Sequence, residues 1–230
     1  MSLISKASAA CPACSTLRSF DRVVSVNADR RPDLRAAIVD GSFQREQCGQ
    51  CSHPFKPPPL LTYLDIARRN WILVQAFEEQ ENWERFGEIA AGSFAMAYGD
   101  RAPPDAQASG RDLRVRLVFG WSALREKLRC DDLRLNDIDL ELLKLSVLRE
   151  SPDSPLSDET ELRLLGVKGP ELLMGWVRGR DERMVATLRV PRSTYDELVF
   201  NRSEWQTLRE EMAAHSFVDM NRLMLGPQRA

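Results

Sequence analysis

The sequence is poor in the residues that most hydrolytic and transfer chemistry uses. Its 230 residues include two histidines, three tyrosines and five cysteines. It contains no Gly-rich phosphate loop, no G-x-S-x-G turn and no H-E-x-x-H helix, which removes the most readable catalytic constellations. No window approaches the unbroken apolar run of about 20 residues that a membrane-spanning helix needs. The opening "MSLISKASAA" has one Lys and no apolar core of the kind that directs export, so a cytoplasmic protein without membrane contact is expected. Neither sign of charge dominates: 32 Lys and Arg face 34 Asp and Glu, for a net charge of −2. The balance is uneven along the chain, since residues 1–75 hold ten basic and six acidic side chains while the rest is acidic. Four thiolates on one Zn²⁺ would lower that basic end to about +2, a weak electrostatic footprint for nucleic acid.

What the sequence does have is a pattern in its cysteines. Cys11 and Cys14 form "CPAC", Cys48 and Cys51 form "CGQC", and 33 residues separate the pairs. In an unexported chain such thiols stay reduced, and two Cys-x-x-Cys turns can each supply half of a tetrahedral shell. The expected cofactor is therefore Zn, held by Cys11, Cys14, Cys48 and Cys51 in a closed, structural site. Proline in one turn and glycine in the other suit tight loops whose backbone N–H groups face the sulfurs. Two rival readings use the same residues. A redox dithiol normally opens a helix after a strand, whereas CPAC follows what reads as a flexible tail. A catalytic zinc keeps a position open for water and usually recruits His, yet His53 lies beyond an already complete set and reads as a loop residue.

Between the pairs, alternation at Phe20, Val24 and Val26 predicts a strand, Pro32 and Gly41 bracket a short helix, and "SFQREQ" reads as a returning strand. A helix is thus inserted into a metal-clamped hairpin, and closing that long loop is where a metal stabilises most. "LLTYLDIARRNWILV" predicts two strands around a turn. "CPAC", the strand after it, "NADRRPDLRAAIVDGSF", "CGQC" and this last segment together resemble the CpXC-domain family over roughly residues 9–76, and "RVRLVFGWSALREKLRCDDLRLNDIDLELLKL" is similar to the segment that often follows. The resemblance implies a zinc-ribbon-like domain whose four ligands fall on Cys11, Cys14, Cys48 and Cys51. It implies no activity. Two positions depart from the family pattern, Gly49 where proline is common and Ser15 where glycine often follows a knuckle, and neither removes a ligand.

Downstream, Trp83, Phe86, Ile89 and Ala90 recur at helical spacing, and "RAPPDAQASGRD" reads as a linker. Two domains are expected, residues 1–108 and 109–230, with the boundary near residue 108. The second begins with the strand "LRVRLVFG" and two helices, the later one capped by Asn136 or Asp137. Cys130 between them reads as a small core residue, with His215 the only remote imidazole. "ETELRLLGV", "ELLMGWVRG" and "RMVATLRVP" predict an antiparallel meander, and "STYD" and "SEWQ" match helix-start capping patterns. Trp205, Leu208, Met212, Phe217, Met220, Leu223 and Met224 form an apolar stripe that serves as core or as an adaptable docking face. Charge runs such as "EEQEN" and "CDD" read as solvated faces.

The fold class expected is α+β: an N-terminal zinc-ribbon-like domain with an inserted helix, then a mixed antiparallel-sheet and helix domain. The function expected is non-enzymatic, a zinc-stabilised module that docks a protein partner or a second copy through the C-terminal stripe. Two alternatives stand beside it. One is a nucleic-acid-binding ribbon using Arg18, Arg22, Arg30, Arg31, Arg35, Arg45, Arg68 and Arg69 with Phe20, Phe43 and Trp71 as stacking groups. The other is a thiol-redox protein or enzyme without a readable signature.

Overall fold

Strand β1 (Leu3–Ala10) pairs antiparallel with β2 (Leu17–Asn27), so the segment expected as a flexible tail is instead the edge strand of a sheet. Its small residues carry little pattern of their own; the ladder with β2 makes it a strand. The computed structural model describes residues 3–151 and 154–225. Helix α1 (Pro32–Asp40) starts at Pro32 and stops at Gly41, whose φ of 81° is the left-handed cap that glycine adopts without a Cβ penalty. The returning strand shrinks to β3 (Glu46–Gln47), which pairs with β4 (Pro54–Phe55) rather than with β2. The chain then enters β5 (Leu61–Asp65), parallel to β2, and turns into β6 (Asn70–Gln75), antiparallel to β5.

A 3₁₀ turn (Phe77–Asn82) and helix α2 (Trp83–Tyr98) lead into the expected linker. That stretch holds helix α3 (Pro104–Gly110), and the strand beyond it, β7 (Arg114–Phe119), lies parallel to β6. The first sheet therefore runs β1-β2-β5-β6-β7, and residue 108 falls within one of its crossovers. The boundary expected there is corrected: a strand on its far side completes the sheet on its near side. Alternation along β6 shows how the layers form. Ile72 and Val74 join Ile38, Phe43 and Leu124 on one face, while Trp71 and Leu73 join Trp83, Ala90 and Phe217 on the other.

Helix α4 (Gly120–Asp132) follows β7 directly, and α5 (Asp137–Glu150) is capped by Asn136, whose side chain accepts from the backbone N–H groups of Ile138 and Asp139. The second sheet is the expected meander of β8 (Thr160–Lys168), β9 (Glu171–Arg178) and β10 (Met184–Pro191), with β9 central. Then come α6 (Arg192–Phe200), a 3₁₀ turn (Arg202–Trp205), α7 (Gln206–Ala213) and α8 (Arg222–Leu225). Neither expected capping box forms. Ser193 lies inside α6 and Ser203 inside the 3₁₀ turn, and neither helix start has a side-chain cap. Leu124 and Leu128 of α4 pack into the first core and Cys130 into the second, so one helix is shared by both sheets.

The apolar stripe at the C-terminus is core rather than surface. Trp205, Met212, Phe217 and Met220 are buried, and Met224 alone of the seven is largely exposed. The docking face expected from that stripe is corrected accordingly. No helix among the described residues is long and apolar enough to cross a membrane.

Candidate metal centre

Each Cys-x-x-Cys pair sits at the tip of a hairpin, CPAC between β1 and β2 and CGQC between β3 and β4. The two tips repeat one backbone design. The Ser15 N–H donates to the Cys11 carbonyl and the Ser52 N–H to the Cys48 carbonyl, both at 2.8 Å. One residue further, the N–H groups of Cys11 and Cys48 donate to the carbonyls of Thr16 and His53, both at 3.0 Å. Ser15 and Ser52, each directly after the second cysteine of its pair, take left-handed φ values of 59° and 58° that turn the chain back toward the first cysteine.

This geometry brings all four predicted ligands together. The sulfurs of Cys11, Cys14, Cys48 and Cys51 lie within 4.8 Å of one another. Across the two tips, Cys11 Sγ is 3.7 Å from Cys51 Sγ and Cys14 Sγ is 3.6 Å from Cys48 Sγ. A tetrahedral ion with metal–sulfur bonds of about 2.3 Å spaces its sulfurs about 3.8 Å apart. A disulfide needs about 2.05 Å, and all four cysteines are free. The spacing is thus that of sulfurs arranged around an ion.

Their charge points the same way. The Thr16 hydroxyl, 3.4 Å from Cys14 Sγ, together with the Thr16 backbone N–H pulls that thiol down to about 6. Backbone N–H groups of Cys51 and Gln50 face Cys48 and lower it. The His53 backbone N–H also pulls on Cys51, but the neighbouring sulfurs and burial push that thiol up to about 12. Some of the sulfurs are prepared to ionise and the last one resists, because four adjacent thiolates repel each other unless a cation sits among them. The residues present fit a metal ion.

The other candidate residues are placed elsewhere. His53 serves the site through its backbone and is exposed. Cys130 is buried in the second core, where burial raises its thiol far above the ordinary value. Phe20, Phe43 and Trp71 are buried, so the stacking platform expected of a nucleic-acid face is absent at those three positions. Several of the arginines are engaged within the fold: Arg35 and Arg68 each pair with Asp65 and Asp132, and Arg31 pairs with Asp33.

Two features escaped the sequence reading. Arg18 lies against Gly49, its Nη1 2.8 Å from where a Cβ would stand, so the glycine of the second tip makes room for a guanidinium. That neighbour comes from another hairpin, and no local signal announces it. The second is a buried ionic network. Lys144 Nζ is 2.6 Å from Glu126 and 2.9 Å from Glu141, Arg163 is 2.6 Å from Asp219, and Lys127 is 3.2 Å from Asp137. Spread over α4, α5, β8 and the C-terminal segment, these residues look in sequence like ordinary polar faces.

A family profile described as CpXC protein matches residues 9–144, a span that runs from the first cysteine pair across residue 108 and through most of α5. Neither a curated protein nor a solved structure matches the chain significantly.

Proposed function

From the premise that the chain belongs to the CpXC family, we propose that it is a non-enzymatic zinc-binding protein of the cytoplasm, in which a structural Zn²⁺ clamps a ribbon-like pair of hairpins used for docking a protein partner. The observation that carries this reading is the closed set of four sulfurs at the hairpin tips. Four thiolates fill a tetrahedron and leave no position for water or substrate, which is the mark of a structural rather than a catalytic site. A thiolate-only tetrahedron selects zinc or iron, and zinc, with no redox chemistry of its own, suits a clamp.

The docking part of the reading rests on the ribbon. Among the described residues β1 is an edge strand of the first sheet, the kind of edge that pairs with another chain, and Leu3 and Ile4 are exposed on it. The burial of Phe20, Phe43 and Trp71 weighs against single-stranded nucleic acid as the partner. Elemental analysis of protein purified without added metal tests the clamp: one zinc per chain is expected, and iron, or less than about half an equivalent of zinc, overturns it. Capture of partners from native cytosol, before and after zinc removal, tests the docking role. Salt-insensitive, zinc-dependent capture of protein supports it, whereas nucleic acid released by moderate salt replaces it.

A further inference from the structure

Where the end of α1, the passage before β5, helix α4 and the turn between β9 and β10 meet, cationic side chains outnumber their partners. Lys56 Nζ is 3.4 Å from Glu182 Oε2, and Arg125 pairs with the other oxygen of the same carboxylate. Arg125 Nη1 and Arg45 Nη2 flank Gly41, at 3.7 and 3.9 Å from the position a Cβ would take. Arg129 reaches only carbonyl oxygens, those of Leu164 and Val39 at 3.4 Å each, and Arg45 bonds the Gly41 carbonyl at 2.9 Å. Among the described residues no carboxylate lies within ion-pair distance of Arg45 or Arg129. Asp40 acts on Lys56 and Arg45 from the exposed end of α1, but it is held by the Ser42 backbone N–H.

Lys56 and Arg125 thus share one carboxylate, and Arg45 and Arg129 stand beside them without an ion pair of their own. The side chains of Lys56, Arg125 and Glu182 are 15, 14 and 20 % exposed. The Trp121 ring, 4.7 Å from Lys56 Nζ, fixes the ammonium in place. Burial takes Lys56 down to about 8 against the pull of Glu182, and Arg125 and Arg45 lower it further. Burial and Arg125 lower Arg129 as well, with Glu126 and Glu182 opposing. The cluster therefore holds more cations than ion-paired carboxylates, and a small multivalent anion would relieve it.

We propose that Lys56, Arg125, Arg129 and Arg45 form a binding site for a small oxyanion of the phosphate class, inorganic phosphate or a phosphate monoester, with Glu182 as the internal carboxylate that the ligand displaces. The limited exposure of the cluster suits a small anion rather than the continuous backbone of a nucleic acid. Arg45 and Lys56 come from the segments on either side of the second cysteine pair, Arg125 and Arg129 from α4 and Glu182 from the β9–β10 turn, so the site links the two sheets.

Isothermal titration of the full chain with inorganic phosphate, at ionic strength held constant with chloride, tests the proposal. Saturable binding of one phosphate per chain is expected. Arg129→Met should weaken it about tenfold or more, the value of a lost charge-assisted bond. Glu182→Gln should tighten it, because the competing carboxylate is gone while the shape is kept. Should Arg129→Met fail to fold by circular dichroism, Lys56→Met carries the same expectation. No saturable binding, unchanged affinity in the folded arginine or lysine variant, or weaker binding by Glu182→Gln overturns the site.

Discussion

At Ser15 and Ser52 the backbone is left-handed, with φ near 59° at each, and both residues carry a Cβ that this conformation disfavours. The hairpin tips accept that cost because the turn sets the sulfurs. A β-branched residue cannot share it: Ser52→Val should destabilise the second tip by about 1–2 kcal/mol and weaken metal retention, read by competition with a chromogenic chelator, whereas Ser52→Gly should retain it. Removing a ligand has a larger but local effect. Cys48→Ser should lose the metal and speed hydrogen exchange over residues 9–20 and 44–56. Residues 61–75 and 114–147 should stay protected, since the apolar cores around β5, β6, β7 and α4 contain none of the four cysteines. Uniform loss of protection would show that the metal holds more than the tips.

Among the elements, α4 and α5 decide how the molecule is joined. Helix α4 gives Leu124 and Leu128 to the first core, Cys130 to the second and Glu126 and Lys127 to the ionic network between. Helix α5 begins at Asn136, whose side-chain oxygen is 2.9 Å from Ile138 N and 3.2 Å from Asp139 N. Its backbone N–H donates to the Tyr195 hydroxyl at 2.8 Å, which ties the helix start to α6. Asn136→Ala removes only the first two bonds. A loss of about 1 kcal/mol in urea denaturation is expected, and no loss would mean that the tyrosine bond alone sets the helix start.

For the whole molecule the decisive feature is the network under the C-terminal segment. Lys127 Nζ donates to the Val218 carbonyl at 2.6 Å, the Met220 N–H donates to Glu141 Oε2 at 3.0 Å, and Asp219 pairs with Arg163. The end of the chain is thereby fastened to α4, α5 and β8 together. Burial and the Lys127 and Arg116 cations act oppositely on Asp137, and the cations win, holding its carboxyl far below the ordinary range. Asp137 therefore contributes stability above the pKa of the unfolded chain, lost only as acid reaches the folded value. Glu141 behaves in reverse: burial raises it to about 7, with Lys144 opposing and Asp219 adding to the rise. Between its ordinary 4.5 and about 7 the folded chain keeps a proton that the unfolded chain has released, so this group makes stability fall as pH rises through that window and flat above it. Glu141→Gln cannot titrate and should remove that slope, measured as the difference in unfolding free energy between pH 5 and pH 8. An unchanged slope would assign it to another carboxylate.

What the sequence by itself determined were features that depend on near neighbours. The Cys-x-x-Cys spacings, Pro32 and Gly41 around α1, the Asn136 cap, the alternation in β7 and the apolar run of β6 act within a few residues, and each appears in the structure where the pattern put it. What the tertiary structure decided were matters of pairing. Strand β1 has no strong pattern and exists because β2 supplies its ladder, and β7 belongs to the first sheet because it bonds to β6 across a helical crossover that reads as a linker. The expected caps at Ser193 and Ser203 failed because the preceding strand and helix carry the chain into each turn at a different residue. The ionic network depends on residues from α4, α5, β8 and the C-terminal segment meeting in one place. Each of those charges has most of its partners far away in the chain, and only desolvation of the assembled core distinguishes them from charges on a wet surface.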